Sequence, residues 1–353
     1  MLNPALNLGQ LASAVQRNCN ISDARHAGDF SLCVFLLKMR EYYRWENELP
    51  ITGTLSKKQV GEWLAERERM WEDLESSPFE PLPLSVGALD PFDAQAVNAE
   101  LVPHGHVYSS GYGRFCKPHF FLGDLVRHEH RNGVDIYVSS CEYARDLVAP
   151  PAMLQGRTIY VRQESVRRFL WEKIEEFRWN RKSEAMTRAL AAYDFDADPE
   201  AALERMTLAE SEAMVLHELG EGLAGRQLGD DWQKMVNTLS RSTAEMVARA
   251  VRDLVADSLS TLPGLIEREA LPSLHFFFAN FGGMRRHLYP EAMLAYESWV
   301  RDGNLTALHA LATDGAARWL DAAQEMLAIW RRAGPNSARA VEHRFVPALT
   351  AQS

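Results

Sequence analysis

The chain has 353 residues, 46% of them hydrophobic and 24% charged, which is the composition of a globular protein with one large domain and a subdomain, or with two domains. Its formal net charge of −10 argues against general binding to nucleic acid or to an anionic membrane, because both require a basic surface. The four cysteines form no CxxC pair, and we find neither a signal-like N-terminus nor a run of about 18 apolar residues, so we expect a cytoplasmic protein with reduced thiols.

Residues 1–85 predict a helical N-terminal region. The segment 29–48 is apolar nearly all round at its start, which is typical of a helix in the centre of a core. Ser56 and Gln59 have the spacing of a capping box, so the next helix is expected over about 56–75. Three prolines then end the helical region.

Residues 86–162 change character. A connector rich in Pro, Ser and Gly is followed, from about residue 105, by runs of β-branched and aromatic residues. The pair Asn132-Gly133 lies between two such runs and is typical of a two-residue hairpin, because both residues tolerate positive φ. The sequence therefore predicts a small antiparallel β-subdomain within a mainly α (α+β) protein.

A short segment of this region combines glycines with cations. Gly111 and Gly113 allow close backbone approach, Arg114 and Lys117 supply positive charge, and His119 follows them. Such a loop can bind a phosphate or a carboxylate, so we expect a small anionic ligand there. The GxxxxGK[ST] pattern of a nucleotide-binding P-loop is missing.

The remainder of the chain, residues 163–353, has a helical pattern. Thr207 with Glu210, and Ser242 with Glu245, have the spacing of capping boxes. We therefore expect one helix to begin at Thr207 and another at Ser242.

The first of these helices carries the most informative motif, VLHELGE. His217 and Glu221 lie four residues apart, so they share one helical face, where an imidazole and a carboxylate can bind one metal ion. The next helix repeats this spacing with Asp253 and Asp257. If the two helices form an antiparallel hairpin, these side chains face each other, as ligands do in helical-bundle metal sites.

Two further residues are candidates for the same site. Glu218 would act as a general base or would orient a ligand. His275 lies in the apolar string LPSLHFFFANF and would be an extra ligand, although a histidine of the core is the alternative. Mixed histidine and carboxylate ligands suit Fe, Mn or Zn. The pattern thus favours a metal-dependent enzyme whose reaction is either hydrolytic or oxidative.

A second interpretation treats the same polar pairs as structural. Glu221 would then pair with an arginine, and Asp253 with Arg249 one turn before it. The chain would be a non-catalytic cytosolic interaction or ligand-binding protein, with the β-subdomain as its binding surface. A cluster of the four candidate ligands that holds no ion and whose carboxylates are satisfied by arginines would favour this interpretation.

Strings spread over nearly the whole chain, among them NCNISDARHAGDFSLC, SGYGRFCKPHFFLG and LWEKIEEFRW, resemble an uncharacterised bacterial family that consists of domains of unknown function. The resemblance implies a cytosolic bacterial protein whose N- and C-terminal parts belong together, and it implies no activity. Zinc peptidases with an HExxH helix are a looser comparison. His217-Glu218 matches the start of that motif, but Glu221 occupies the position of the second histidine, which argues against peptidase chemistry.

Overall fold

The protein, seen in a computed structural model, is described over residues 6–113, 116–180 and 183–346. It divides into two compact units, Met1–Lys173 and Ile174–Ser353. The N-terminal unit combines helices with strands, whereas the described part of the C-terminal unit is helical. The prediction of a mainly helical protein with a small β part is therefore confirmed.

The N-terminal unit contains a two-stranded sheet, β1 with β2, and a five-stranded sheet. Its helices are α1 (Leu8–His26), α2 (Leu32–Glu46), α3 (Lys57–Leu74), α4 (Ala94–Leu101) and the start of α5 (Gln163–Asn180). Its strands are β1 (Leu82–Leu84), β2 (Gly87–Leu89), β3 (His106–Tyr112), β4 (Pro118–Arg131), β5 (Val134–Arg145), β6 (Ala152–Gln155) and β7 (Thr158–Arg162).

The five-stranded sheet has the order β3-β4-β5-β7-β6, and β5 pairs with β7 in parallel while the other neighbours are antiparallel. Asn132 and Gly133, with φ of 54° and 76°, form the predicted turn between β4 and β5. The sheet curls, so that Ser109 on edge strand β3 donates a hydrogen bond to Gln155 Oε1 on the other edge strand, β6, over 2.9 Å.

Helix α1 buries one face against this sheet. Leu11, Val15 and Cys19 are spaced four residues apart and are fully buried, which is the pattern of an apolar stripe on a helix. They share a core cluster with Tyr108 of β3 and Phe120 of β4.

The prediction that the start of α2 lies in the centre of a core is wrong. Leu32 and Leu37 are 70% and 60% exposed, and the buried residues of this helix begin at Met39. The fully buried part is the C-terminal half, with Met39 and Tyr42 in a cluster with Trp71 of α3, and Phe35 packs against this cluster only partly buried. A helix that packs on one side cannot bury apolar residues placed all round its axis, so the apolar pattern overestimated burial.

The C-terminal unit packs its helices around a core that α9 and α14 share. A π-helical turn, Asp257–Thr261, joins α9 to α10. The helices are α6 (Glu184–Ala192), α7 (Pro199–Leu228), α8 (Asp230–Thr238), α9 (Thr243–Ala256), α10 (Leu262–Glu267), α11 (Leu271–Ala279), α12 (Gly283–Leu288), α13 (Glu291–Asp302), α14 (Thr306–Ala333) and α15 (Ser337–Phe345).

Two of the three predicted capping boxes do begin helices. Ser56 caps α3 by accepting a hydrogen bond from the backbone N–H of Gln59, at 3.5 Å. Ser242 caps α9 in the same way through Glu245, at 3.2 Å. Both helices therefore start where the sequence predicted, because the serine oxygen accepts from a backbone N–H that has no partner within the helix.

The third predicted helix start is wrong. Helix α7 begins at Pro199, two turns before Thr207, with Asp198 as its N-cap. The hydroxyl of Thr207 donates to the carbonyl of Leu203 within the helix, and Glu210 is buried there. Proline at the first helical position and Asp before it are the stronger signal, since the proline lacks an N–H that would need a partner.

Close packing of α7 against the end of α9 depends on Gly220. A Cβ added there would lie 2.4 Å from the carbonyl oxygen of Ala256. No side chain fits in that space, so the two helices approach each other backbone to backbone. None of the helices in the described ranges combines the length and the apolar character that crossing a bilayer requires.

We expect Gly220→Ala to lower the free energy of unfolding by about 1–3 kcal/mol, because the methyl group overpacks the contact with Ala256. The matched control is Gly225→Ala on the same helix, where nothing lies within 4 Å of the added methyl group. There the higher helix propensity of alanine should raise stability by about 0.5–1 kcal/mol. Urea unfolding of both variants measures the difference, and equal effects at the two positions would contradict the close packing.

Candidate metal centre

The candidate ligands lie on two packed helices of the C-terminal unit. His217 and Glu221 occupy successive turns of α7, and Asp253 lies in the last turn of α9. Asp257 begins the π-helical turn that follows α9. Because α7 packs against α9 and this turn, the structure brings together all four residues that the sequence paired by spacing.

The imidazole of His217 is held by a buried carboxylate. His217 Nδ1 and Asp257 Oδ1 are 3.1 Å apart, and Arg285 donates to the other oxygen of Asp257 over 2.8 Å. Asp257 is 2% exposed, so a charged carboxylate there requires such partners. Because Nδ1 of His217 is the nitrogen that contacts Asp257, the second ring nitrogen, Nε2, remains for another ligand.

Glu221 divides its two oxygens between different neighbours. Oε2 accepts from Arg252 at 2.8 Å, and Oε1 lies 3.9 Å from Nε2 of His217. Ligand atoms of His217, Glu221 and Asp253 all lie within 4.8 Å of one another, the one group of this kind found among the described residues. An imidazole and two carboxylates thus converge on a common point, and all three residues are partly exposed.

The charges of the cluster displace its pKa values in opposite directions. Burial alone would lower the pKa of His217, but the hydrogen bond to Asp257, with the charges of Asp257, Glu218 and Glu221, raises it to about 9. Burial would raise the pKa of Asp257, yet His217 and Arg285 hold it below its usual range. Burial, with the nearby carboxylates, raises the pKa of Asp253 to about 6. Without an ion, His217 is therefore a cation at neutral pH.

The remaining candidates of the C-terminal unit have different surroundings. Asp257 binds the ring nitrogen that faces away from Glu221, so it orients His217 and does not join the group of converging ligand atoms. Glu218 is partly buried beside that group. His275 lies on α11, where it contacts the hydroxyl of Tyr296 at 3.0 Å and stacks on Trp299, so its ring is engaged elsewhere.

The predicted anion-binding residues lie in the N-terminal unit. Lys117 is buried and forms an ion pair with Asp23, at 2.6 Å, while Arg114 lies outside the described residues. His119 is buried in β4, and burial lowers its pKa. Its Nε2 lies 3.1 Å from the amide nitrogen of Gln155. An anion would have to compete with Asp23 for Lys117, and the anionic ligand stays a prediction.

The sequence reasoning missed two arginines at the centre and one buried carboxyl group elsewhere on α7. Arg252 and Arg285 bind the outer oxygens of Glu221 and Asp257. Glu210 is buried on α7, and its Oε1 has no hydrogen-bond partner among the described residues. Burial raises the pKa of Glu210 to about 8. Arg252 could have been found from its place beside Asp253, but Arg285 is distant in sequence and carries no local signal.

This fold and this cluster define a class: a mainly helical protein with a β-containing N-terminal unit and a candidate metal centre in its C-terminal unit. Two family models match the chain, the N-terminal domain of a family of unknown function (DUF6866) over residues 10–162 and the C-terminal domain of the same family over residues 167–348. The chain belongs to this family, and the resemblance seen in the sequence is confirmed. No curated protein and no solved structure matches it.

Metal-free protein should lose a contribution of His217 to stability as the pH rises. The folded pKa of about 9 lies above the ordinary value of 6.5, so this contribution is complete below about pH 6.5 and disappears as the pH passes 9. It amounts to no more than about 3 kcal/mol. Urea unfolding in EDTA should give wild type a higher free energy of unfolding than His217→Gln, by a margin that shrinks between pH 6.5 and 9. A margin independent of pH would refute the raised pKa.

Glu210 should lower stability in a different range of pH. Its folded pKa of about 8 lies above the ordinary 4.5, so the folded protein holds a proton that the unfolded chain releases. The free energy of unfolding is therefore highest below about pH 4.5 and falls as the pH rises to about 8. We expect Glu210→Gln to raise the melting temperature at pH 8 and to leave it nearly unchanged at pH 4. Glu204→Gln, at an exposed position of the same helix, is the control and should not raise the melting temperature at pH 8.

Proposed function

We propose that the C-terminal unit binds a divalent metal ion through His217, Glu221 and Asp253 and uses it in catalysis. The observation that carries this proposal is the convergence of their ligand atoms within 4.8 Å. Asp257 would take the role of an orienting carboxylate, because it binds the opposite nitrogen of the His217 ring. Histidine ligands of metals commonly donate their second N–H to a carboxylate in this manner.

The distances are compatible with one shared ion. Two atoms that each lie about 2.1 Å from an ion can be no more than about 4.2 Å apart. The separation of 3.9 Å between His217 Nε2 and Glu221 Oε1 falls inside this limit. Small rotations of the Asp253 side chain would complete the set. Glu221 would keep its second oxygen on Arg252 throughout.

The donor set limits the chemistry. One imidazole and two carboxylates, without a thiolate, suit Fe, Mn or Zn. Three protein ligands leave coordination positions for water or substrate, which is the arrangement of catalytic sites, whereas structural zinc sites are closed. Glu218 would serve as general base beside these positions. Both a hydrolytic and an oxidative reaction are compatible with this donor set.

We further propose that the protein acts in the cytoplasm. All four cysteines are free thiols, and three of them are exposed. Exposed thiols persist in a reducing compartment, whereas an oxidising one favours disulfides.

A non-catalytic protein is the second candidate, and the two arginines favour it. Arg252 neutralises one oxygen of Glu221, and Arg285 neutralises one of Asp257. In this alternative the His217–Asp257–Arg285 contacts hold α7 to the end of α9, and the unit needs no ion. Arg252→Ala separates the two candidates. If the cluster binds a metal, this variant should keep or increase the affinity for the ion. If the cluster is structural, the variant should only lower the stability of the protein.

Protein purified without added metal or chelator should contain about one Zn, Mn or Fe per chain by elemental analysis. His217→Ala and Asp253→Asn should each lower this content several-fold while the helical circular dichroism persists, because the apolar core of the unit is untouched. His309→Ala is the matched control, since this histidine is exposed on α14. Much less than one ion per chain, without stabilisation by added Zn, Mn or Fe, would refute the metal site.

Metal affinity should also rise with pH. His217 must lose its proton before Nε2 can bind an ion, and its pKa is about 9. Titration calorimetry with Zn²⁺ between pH 7 and 8, above the pKa of Asp253, should show a roughly tenfold gain in affinity per pH unit, with release of one proton on binding. An affinity that does not change with pH would exclude His217 as a ligand.

A further inference from the structure

The N-terminal unit contains a cleft with a volume of about 800 Å³. Its size is that of sites for small molecules, which range over roughly 300–1,000 Å³. We call it the α4 cleft, because one wall is α4 and the other consists of side chains from β5, β6 and β7. The lining residues that carry the argument are Ala99, Asp135, Tyr137, Gln155, Arg157 and Tyr160.

Aromatic rings form the strand side of the cleft. Tyr137 and Tyr160 are in register on the parallel strands β5 and β7, and their rings stack with centroids 5.7 Å apart. On β4, His128 continues the stack and lies 4.4 Å from Tyr137. Tyr160 is 5% exposed, whereas Tyr137 is partly exposed and lies between the other two rings. A row of rings on adjacent strands offers a ligand both an apolar surface and phenol hydroxyl groups.

Gln155 gives the cleft an uncharged polar group that is fixed in place. Its Oε1 accepts from Ser109 at 2.9 Å, and its Nε2 donates to the carbonyl of Ser110 at 3.3 Å. A Cβ on Gly111 would lie 2.4 Å from that nitrogen, so the glycine makes room for the amide. The same nitrogen also lies 3.1 Å from His119 Nε2, so both of its hydrogens face protein partners and Oε1, with a second lone pair, is the atom left to accept from a ligand. These contacts hold Gln155 in place before a ligand binds, which lowers the entropic cost of binding.

The charged groups at the cleft already have partners. Arg157 donates twice to the carbonyl of Gly133, at 2.9 and 2.7 Å. Asp135 lies 3.2 Å from His130 and 3.6 Å from His128. A ligand that carries a net charge would have to compete with these contacts, and the chain's net charge of −10 disfavours anions at long range.

We propose that the α4 cleft binds a neutral ring compound that carries several hydroxyl groups. The ring packs against Tyr137 and Tyr160, and its hydroxyl groups bond to neutral polar groups such as Gln155. Sugars and nucleosides share this chemistry. Because both faces of Tyr137 are covered by neighbouring rings, the base of a nucleoside or the C–H groups of a sugar would contact the edges and the hydroxyl groups of this row of rings. This ligand is independent of the metal centre, which lies in the other unit.

The test is titration calorimetry of the full chain with glucose, adenosine, uridine and adenosine monophosphate. At least one of the three neutral probes should bind saturably. Binding of glucose identifies a sugar site, and binding of adenosine or uridine identifies a nucleoside site. Adenosine monophosphate should bind more weakly than adenosine. No binding by any neutral probe, or tighter binding of the monophosphate, would overturn the proposal.

Two variants at one position locate the binding. Ala99 is exposed on α4 and lines the cleft, so Ala99→Trp should fill it without disturbing the core. Affinity for the bound probe should fall at least about tenfold, which corresponds to about 1.4 kcal/mol. Ala99→Ser, the matched control, should change it less than about twofold, and both variants should keep the wild-type melting temperature. Unchanged affinity in Ala99→Trp would place the binding elsewhere and overturn the assignment.

A third variant tests the aromatic side of the cleft. Tyr137→Phe keeps the ring and removes its hydroxyl, whereas Tyr137→Ala removes both. We expect a graded loss of affinity, larger for alanine, because the edge of the ring and its hydroxyl group both contact the ligand. Melting curves check that both variants are folded at the temperature of the titration. Equal affinity in both variants and in wild type would exclude Tyr137 from the site and overturn this arrangement of the ligand.

Discussion

The backbone contact between α7 and the end of α9 is the constraint on which the candidate metal centre depends. Gly220 lies between His217 and Glu221 in sequence, and any side chain at this position would collide with the carbonyl of Ala256. The glycine therefore sets the distance between the two helices at the level of the candidate ligands. A larger residue would separate His217 from Asp257, because their contact of 3.1 Å spans these same elements.

Asp257 connects this packing to the chemistry of the site. It begins a π-helical turn, and such turns often occur at functional sites, where they re-aim side chains of an otherwise regular helix. Its carboxylate holds His217 on one side and Arg285 on the other. The hydrogen bond to Asp257 raises the pKa of His217, so a proton and a metal ion compete for this ring. Folding, protonation and metal binding at this site are therefore linked.

In the N-terminal unit, buried ion pairs hold the curled sheet together. Arg162 of β7 donates to Glu142 of the neighbouring strand β5 at 2.5 Å, and Ser165 donates to the same carboxylate at 2.6 Å. Both charged groups are almost fully buried, and removing either one would leave an unpaired charge in the core, which is strongly destabilising. The curl brings Gln155, which lines the α4 cleft, close to Ser109. The structure thus provides two candidate sites of different chemistry, one in each unit.

The sequence by itself determined the features that depend on neighbouring residues: the capped starts of α3 and α9, the Asn132-Gly133 turn, and the shared face of His217 and Glu221. Each follows from local backbone geometry or from the period of the helix. Only the tertiary structure decided which apolar faces are buried, as the exposed Leu32 demonstrates, and which nitrogen of His217 faces Asp257. Arg285 and the Gly220 contact likewise had no local signal. They depend on segments that are distant in sequence, and spacing along one helix carries no information about what packs against it.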